Sequence, residues 1–197
     1  GIAHELSTFN PLILSKLFSH ANGIAVDGEG NVAVFDYGNA RVQVHRLSDG
    51  AYIRTIGSKG SGNGQFAGSG GLAFDSEGNL VVADYHNHRV QVLRYSDGAH
   101  VRTIGSEGEG VGQFHRPTGV AFDAAGHIVV VERGNYRVQV LRYSDGAHVR
   151  TIGSEGSGNG QFHYPSGIAV DGEGNVAVFD HGNARVQVHR LSDGAYI

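Results

Sequence analysis

The sequence contains no cysteine, no methionine and no tryptophan, and only three prolines in 197 residues. Without cysteine there is no disulfide framework, no thiol nucleophile and no cysteine metal site. No apolar run approaches the ~18 residues of a membrane-spanning helix. A secretory leader and an Asn-x-Ser/Thr sequon are both absent, which, with the missing cysteine, favours a cytoplasmic protein. The chain starts on Gly and has no Met, so it is expected to be an excised or processed segment. Positive charge is also in short supply: 15 Lys and Arg stand against 19 Asp and Glu, a net charge of −4. Nucleic-acid-binding domains usually show the opposite balance.

What the chain has in excess is glycine, 32 of 197 residues. Glycine richness without a period signals disorder; here the period is strict. Asp27, Asp75, Asp123 and Asp171 recur at a step of 48, as do Arg41, Arg89, Arg137 and Arg185, and Phe18, Phe66, Phe114 and Phe162. Residues 89–108 and 137–156 are identical, and residues 23–53 and 167–197 differ only at Tyr37 against His181. A fixed period near 50 points to a propeller or a solenoid.

Each unit reads as four short strands. In the first, these are Gly23–Asp27, Asn31–Asp36, Arg41–Arg46 and Ala51–Ile56. A Gly-Glu-Gly turn, which Asp27 is placed to bond, follows the first strand, and Ser48-Asp49-Gly50 makes a hairpin turn. The first two strands are apolar at nearly every position, which fits sheets covered on both faces. Four-stranded sheets packed face to face are propeller blades. The units fall at about 23–57, 71–105, 119–153 and 167–197. Residues 10–18 form a connector in which Asn10-Pro11 is suited to start a short helix.

The stretch Ala83-Asp84-Tyr85-His86-Asn87-His88-Arg89-Val90-Gln91-Val92 resembles the signature of NHL-repeat β-propellers, in four copies over residues 18–197. Blades one and four depart from it with Gly-Asn-Ala-Arg, and blade three carries Glu132 where the others have Asp. The resemblance implies an all-β propeller of four-stranded antiparallel blades. WD and kelch repeats are disfavoured by the lack of tryptophan. Leu6-Ser7-Thr8-Phe9-Asn10 repeats the pattern of a fourth strand, so residues 5–9 are expected to complete the C-terminal blade. Closure within one chain gives a four-bladed monomer; exchange between two chains gives an eight-bladed homodimer. The spacing does not choose between them.

Two sets of residues stand out. Asp36, Asp84, Glu132 and Asp180 each precede Arg41, Arg89, Arg137 and Arg185 by five residues, a spacing that suits carboxylate–guanidinium pairs holding a loop. The varied positions fall in two loops expected at one end of the blades: Tyr37, Tyr85, His86, His88, Arg133, Tyr136 and His181 in one, and His115, Arg116, His163 and Tyr164 in the other. Loops on a rigid scaffold carry binding, and Tyr and Arg are favoured at interfaces. His86 and His88 have no equivalent pair in other blades, and no Gly-x-Ser-x-Gly elbow is present. No metal, cofactor or catalytic function is therefore expected. Some NHL-like propellers are metal-dependent lyases, but their histidines find no residue-by-residue match here. The resemblance implies a recognition module for protein or peptide, with RNA binding as the alternative. The RING domain that accompanies some family members is excluded from this segment by the missing cysteine. Copies this similar also admit a recently duplicated or constructed array with no evolved ligand.

Overall fold

The computed structural model describes residues 18–197 apart from residue 69. It is an all-β, four-bladed propeller. Blade one is β1 (Ala21–Val26), β2 (Asn31–Asp36), β3 (Arg41–Arg46) and β4 (Tyr52–Ile56), antiparallel and hydrogen-bonded in chain order. A connector with a short parallel pair, β5 (Ser58–Lys59) and β6 (Gln65–Phe66), leads to blade two: β7 (Leu72–Phe74), β8 (Leu80–Asp84), β9 (Arg89–Leu93) and β10 (His100–Ile104). Blade three is β11 (Pro117–Phe122), β12 (His127–Glu132), β13 (Arg137–Arg142) and β14 (His148–Ile152). The parallel pair β15 (Ser154–Glu155) and β16 (Gln161–Phe162) precedes blade four, β17 (Pro165–Val170), β18 (Asn175–Asp180) and β19 (Arg185–Arg190).

Among the described residues blade four has three strands. A fourth is only begun, with Tyr196 bridging His189 and the Ile197 N–H donating to the Val188 carbonyl at 2.9 Å. The closing strand expected at 5–9 lies outside the described residues, as does all of the connector expected at 10–18 except Phe18.

The turns follow from single side chains. Asp27 Oδ1 accepts from the backbone N–H groups of Glu29 and Asn31, at 2.9 and 2.8 Å, and its Oδ2 accepts from the Asn31 amide at 2.8 Å. Asp75 and Asp171 do the same in their blades, and in blade three Asp123 accepts from the Ala125 and His127 backbone N–H groups while its Oδ2 meets the His127 ring at 2.8 Å. In the hairpin, Asp49 captures the Ala51 N–H at 3.0 Å, which is why β4 starts at Tyr52 and not at Ala51. A bulge between Ala21 and Gly23 moves the start of the first strand to Ala21.

The period of two in each strand divides its apolar residues between neighbours. In β8, Leu80 and Val82 enter one core with Ala33, Phe35, Val42, Val44, Ile56 and Phe66 of blade one and its connector. Val81 and Ala83 enter the next, with Val120, Ile128, Val130 and Leu141 of blade three. A third core joins Val129, Val131, Val138 and Val140 to Val176 and Val178 of blade four. Each core is sealed by a connector phenylalanine, Phe66, Phe114 or Phe162, all fully buried. At the inner edge the backbones touch. A Cβ on Gly119 would lie 2.8 Å from Ile168 Cγ2, so only glycine permits that approach.

Phe114→Ala is expected to cost about 3–5 kcal/mol, the usual range for emptying a buried phenylalanine site. Urea unfolding followed by circular dichroism reads the loss, and Phe114→Leu should recover more than half of it.

Candidate binding face

Beneath the face lies a buried carboxylate in every blade. Asp84 is fully buried, and its Oδ2 accepts from Asn87 Nδ2 at 2.9 Å, Arg89 Nε at 2.9 Å and Gln91 Nε2 at 3.2 Å. Its Oδ1 accepts from the Ala67 backbone N–H at 3.0 Å. Asp36, Glu132 and Asp180 have the same four kinds of donor, and their arginines Arg41, Arg137 and Arg185 stand at 3.1, 2.6 and 2.8 Å. The outer ends of these donors hold the incoming connector. Arg89 Nη2 donates to the carbonyls of Gly62 and Gln65 at 2.7 and 3.0 Å, and Gln91 Nε2 to Gln65 at 2.7 Å. Sequence spacing pointed to the arginine; the Asn, Gln and backbone donors emerge only from the fold.

For Asp36 and Asp180 the balance of forces has a clear sign. Burial pushes each carboxyl upward, but the surrounding donors outweigh it and leave both below the ordinary carboxylate value: Asn39, the Ser19 N–H, Arg41 and Gln43 for Asp36, and the His163 N–H, Asn183 and Arg185 for Asp180.

This clasp fixes the two varied loops against each other. The Tyr85 N–H donates to the Gly68 carbonyl at 3.1 Å, Arg133 to Arg116 at 3.0 Å, Gly134 to His115 at 3.0 Å and Gly182 to His163 at 2.7 Å. Both loops turn through the left-handed region at residues other than glycine. His88, Tyr136, Ala40 and Ala184 have φ between 50° and 54°, and Arg116 and Tyr164 have φ of 55° and 53°. Such conformations cost about 1–3 kcal/mol each and persist where the surroundings over-determine them.

The side chains meet mostly across blade boundaries. His88 of blade two stacks on His115 at the entry to blade three, with ring centroids 5.1 Å apart. Tyr136 of blade three lies 6.1 Å from His163 and 5.6 Å from Tyr164, which stack on each other at 4.3 Å. Arg133 sits 4.9 Å over the Tyr164 ring and Arg116 6.0 Å over Tyr85, the range of cation–π attraction. Tyr37 Oη and His86 Nε2 are 3.4 Å apart. The Arg116 N–H donates to His88 Nδ1 at 3.2 Å, which requires a neutral ring there. Burial, opposed by Glu107 and reinforced by His115 and Arg116, holds His88 below the usual histidine value and keeps it neutral.

Tyr37, Tyr85, His86 and Arg133 reach the rim of a 710 Å³ cavity on the propeller axis, walled by the inner strands of all four blades. His181, at the matching position of blade four, instead packs edge-on against Phe179 at 5.8 Å. Among the described residues lining the cavity, Arg133 is the one permanent charge. No three His, Asp or Glu side chains converge to hold a metal among the described residues.

The NHL repeat family matches residues 18–44, 70–93, 114–141 and 162–188. No curated protein matches the sequence. Among solved structures, a catalytically inactive virginiamycin B lyase from Staphylococcus aureus with quinupristin is 16% identical over 90% of this chain and 54% of that chain, with a TM-score of 0.64. A nidogen/laminin complex contributes a chain 19% identical over 91% of this chain and 63% of its own, TM-score 0.69. A Bacteroides thetaiotaomicron protein of unknown function is 20% identical over 85% of this chain and 46% of its own, TM-score 0.69. The chain therefore spans about half to two thirds of the solved chains that it matches, and at these identities the likeness is one of fold.

Because the carboxyls of Asp36 and Asp180 titrate lower in the folded state than in the unfolded chain, their stabilisation is fully present above the unfolded value of about 3.9 and is lost as pH falls below that and through the lower folded value. The urea midpoint should accordingly drop between pH 5 and pH 2. Asp180→Asn should be less stable at pH 7 and should flatten that acid limb; an unchanged acid slope would count against the clasp.

Proposed function

The chain belongs to the NHL-repeat family, and on that premise we propose that it is a non-catalytic interaction scaffold that binds an extended protein or peptide segment across the axial rim. The observation that carries this reading is the aromatic and cationic ridge formed by Tyr85, Arg116, Arg133, Tyr164 and the stacked histidines beside an open cavity. Tyr supplies large contact area at low entropic cost, Arg adds directional donors, and both are enriched at interfaces. NHL propellers often serve as recognition modules, and one similar fold comes from a nidogen/laminin complex. With Arg133 as the permanent charge among its described lining residues, the cavity favours a segment bearing an acidic side chain.

Absence of catalysis is supported by the state of the carboxylates. The four buried ones at the clasp accept hydrogen bonds from an Asn, an Arg, a Gln and a backbone amide, and so do not stand ready as bases in the cavity.

Immobilised extended peptides that differ only in a central Glu, Gln or Lys provide the test. The Glu peptide should bind best, and Arg133→Glu should weaken it at least tenfold while leaving the circular dichroism spectrum unchanged. Equal binding by wild type and variant, or no binding by any peptide, would overturn the reading. Steep salt-dependent retention of single-stranded RNA would transfer the face to nucleic acid.

A further inference from the structure

The three blade boundaries differ at two positions of the varied loops. One closes the loop between the second and third strands, and the other lies in the entry loop of the next blade. The pairs are Ala40 with Gly68, His88 with Arg116, and Tyr136 with Tyr164. All six residues have positive φ. Of these side chains, histidine is the one that ordinarily changes charge between pH 5 and 8.

At the boundary of blades two and three the pair is joined directly. The Arg116 backbone N–H donates to His88 Nδ1 at 3.2 Å, so the proton of the neutral ring sits on Nε2. The ring stacks on His115, with centroids 5.1 Å apart and planes at 24°. Its side chain is 16% exposed, and Nε2 stands 3.7 Å from Glu107 Oε1. Arg116 has φ of 55°, a conformation that such a residue keeps where its surroundings hold it. Its N–H is held by His88, and its carbonyl accepts from the Arg133 N–H at 3.0 Å. In that position its guanidinium lies 6.0 Å over Tyr85.

A second proton on this ring goes to Nδ1 and turns the acceptor into a donor. Nδ1–H then faces the Arg116 N–H donor to donor, and the bond is lost. Burial opposes the charged ring first. His115 and Arg116 of the entry loop and His86 of the same turn add repulsion, against an attraction to Glu107 of the connector. Glu107 is 72% exposed, so water and salt weaken that attraction. The ring therefore titrates below the usual histidine value. What the neutral ring contributes is fully present above the ordinary value of about 6.5, and is lost as pH falls below that and through the lower folded value. Asp36 and Asp180 titrate in a lower window.

We propose that the varied face is acid-gated at this boundary: protonation of His88 releases the Arg116 N–H, breaks the stack on His115 and lets Arg116 relax from its left-handed conformation, so that the ridge loosens its hold on an extended segment as the medium turns mildly acidic. The gate rests on the peptide-binding reading of the face and adds how that face is controlled. The first boundary has no use for such an acceptor, because Gly68 takes positive φ freely. By linkage, a segment that binds the neutral form also makes His88 harder to protonate, by the same factor.

Two readouts separate the gate from the peptide. Without ligand, NMR follows the His88 ring nitrogens and the Arg116 amide from pH 7.5 to pH 5. Both should move with one midpoint, below that of free histidine. An Arg116 amide that stays still while the ring titrates overturns the gate. The extended peptide with a central Glu is then bound at pH 7.5 and at pH 5, where its carboxylate stays largely ionised. Its Kd should rise about threefold or more for the unsubstituted chain. In His88→Asn the amide oxygen accepts the Arg116 N–H without titrating, and Asn suits the left-handed turn, so this variant should hold its affinity across the range. His88→Ala, which matches the left-handed Ala40 and Ala184, should bind at both pH values at the weaker level that the unsubstituted chain reaches at pH 5. A Kd that stays constant in the unsubstituted chain, or rises equally in the Asn variant, overturns the proposal. If no peptide binds, the reading of the face fails, while the amide titration still decides the gate.

Discussion

The buried carboxylate at the end of each second strand is the constraint on which the rest of the structure depends. An ionised group with no solvent exposure is unfavourable unless its lone pairs are filled. Here a turn asparagine, an arginine and a glutamine from the third strand, and an N–H from the entry loop all converge on it. Removing the carboxylate would strand four donors at once. Arg89 and Gln91 also reach the connector carbonyls, so one acidic side chain sets both the shape of a blade's loop and the seat of the segment arriving from the blade before. Blade three achieves this with the longer Glu132, whose two oxygens divide the donors differently but accept the same set.

Such a frame explains why the face above it tolerates unfavourable backbone. Left-handed conformations at His88, Tyr136, Arg116 and Tyr164 would ordinarily select Gly or Asn. The clasp fixes the loop ends and the inter-loop hydrogen bonds fix their separation, so large side chains can stand at these positions. Strain and side-chain variety therefore occupy the same loops, while the frame below barely changes between blades.

Much of this was legible in the sequence because it is local. The Asp-x-x-x-Asn turns, the Ser-Asp-Gly hairpins and the step of 48 give the strands, their order and the end at which the varied loops emerge. What was not legible is what depends on neighbours. The stacking of His88 on His115 joins residues 27 apart across a blade boundary, and the approach of Tyr37 to His86 spans 49. Nothing in either loop's own pattern specifies those pairings. His181 shows the limit most simply: it holds the repeat position of Tyr37, Tyr85 and Arg133, yet its ring packs edge-on against Phe179 of its own blade.

Phe35 and Phe179 carry the same point further. They sit in identical sequence, and one is buried while the other is open. A repeat that encodes a forward and a rear face in every unit specifies interfaces but not their number, so any unclosed array presents one face of each kind. Ile24 and Phe179 also line the axial cavity together with Tyr85 and Arg133.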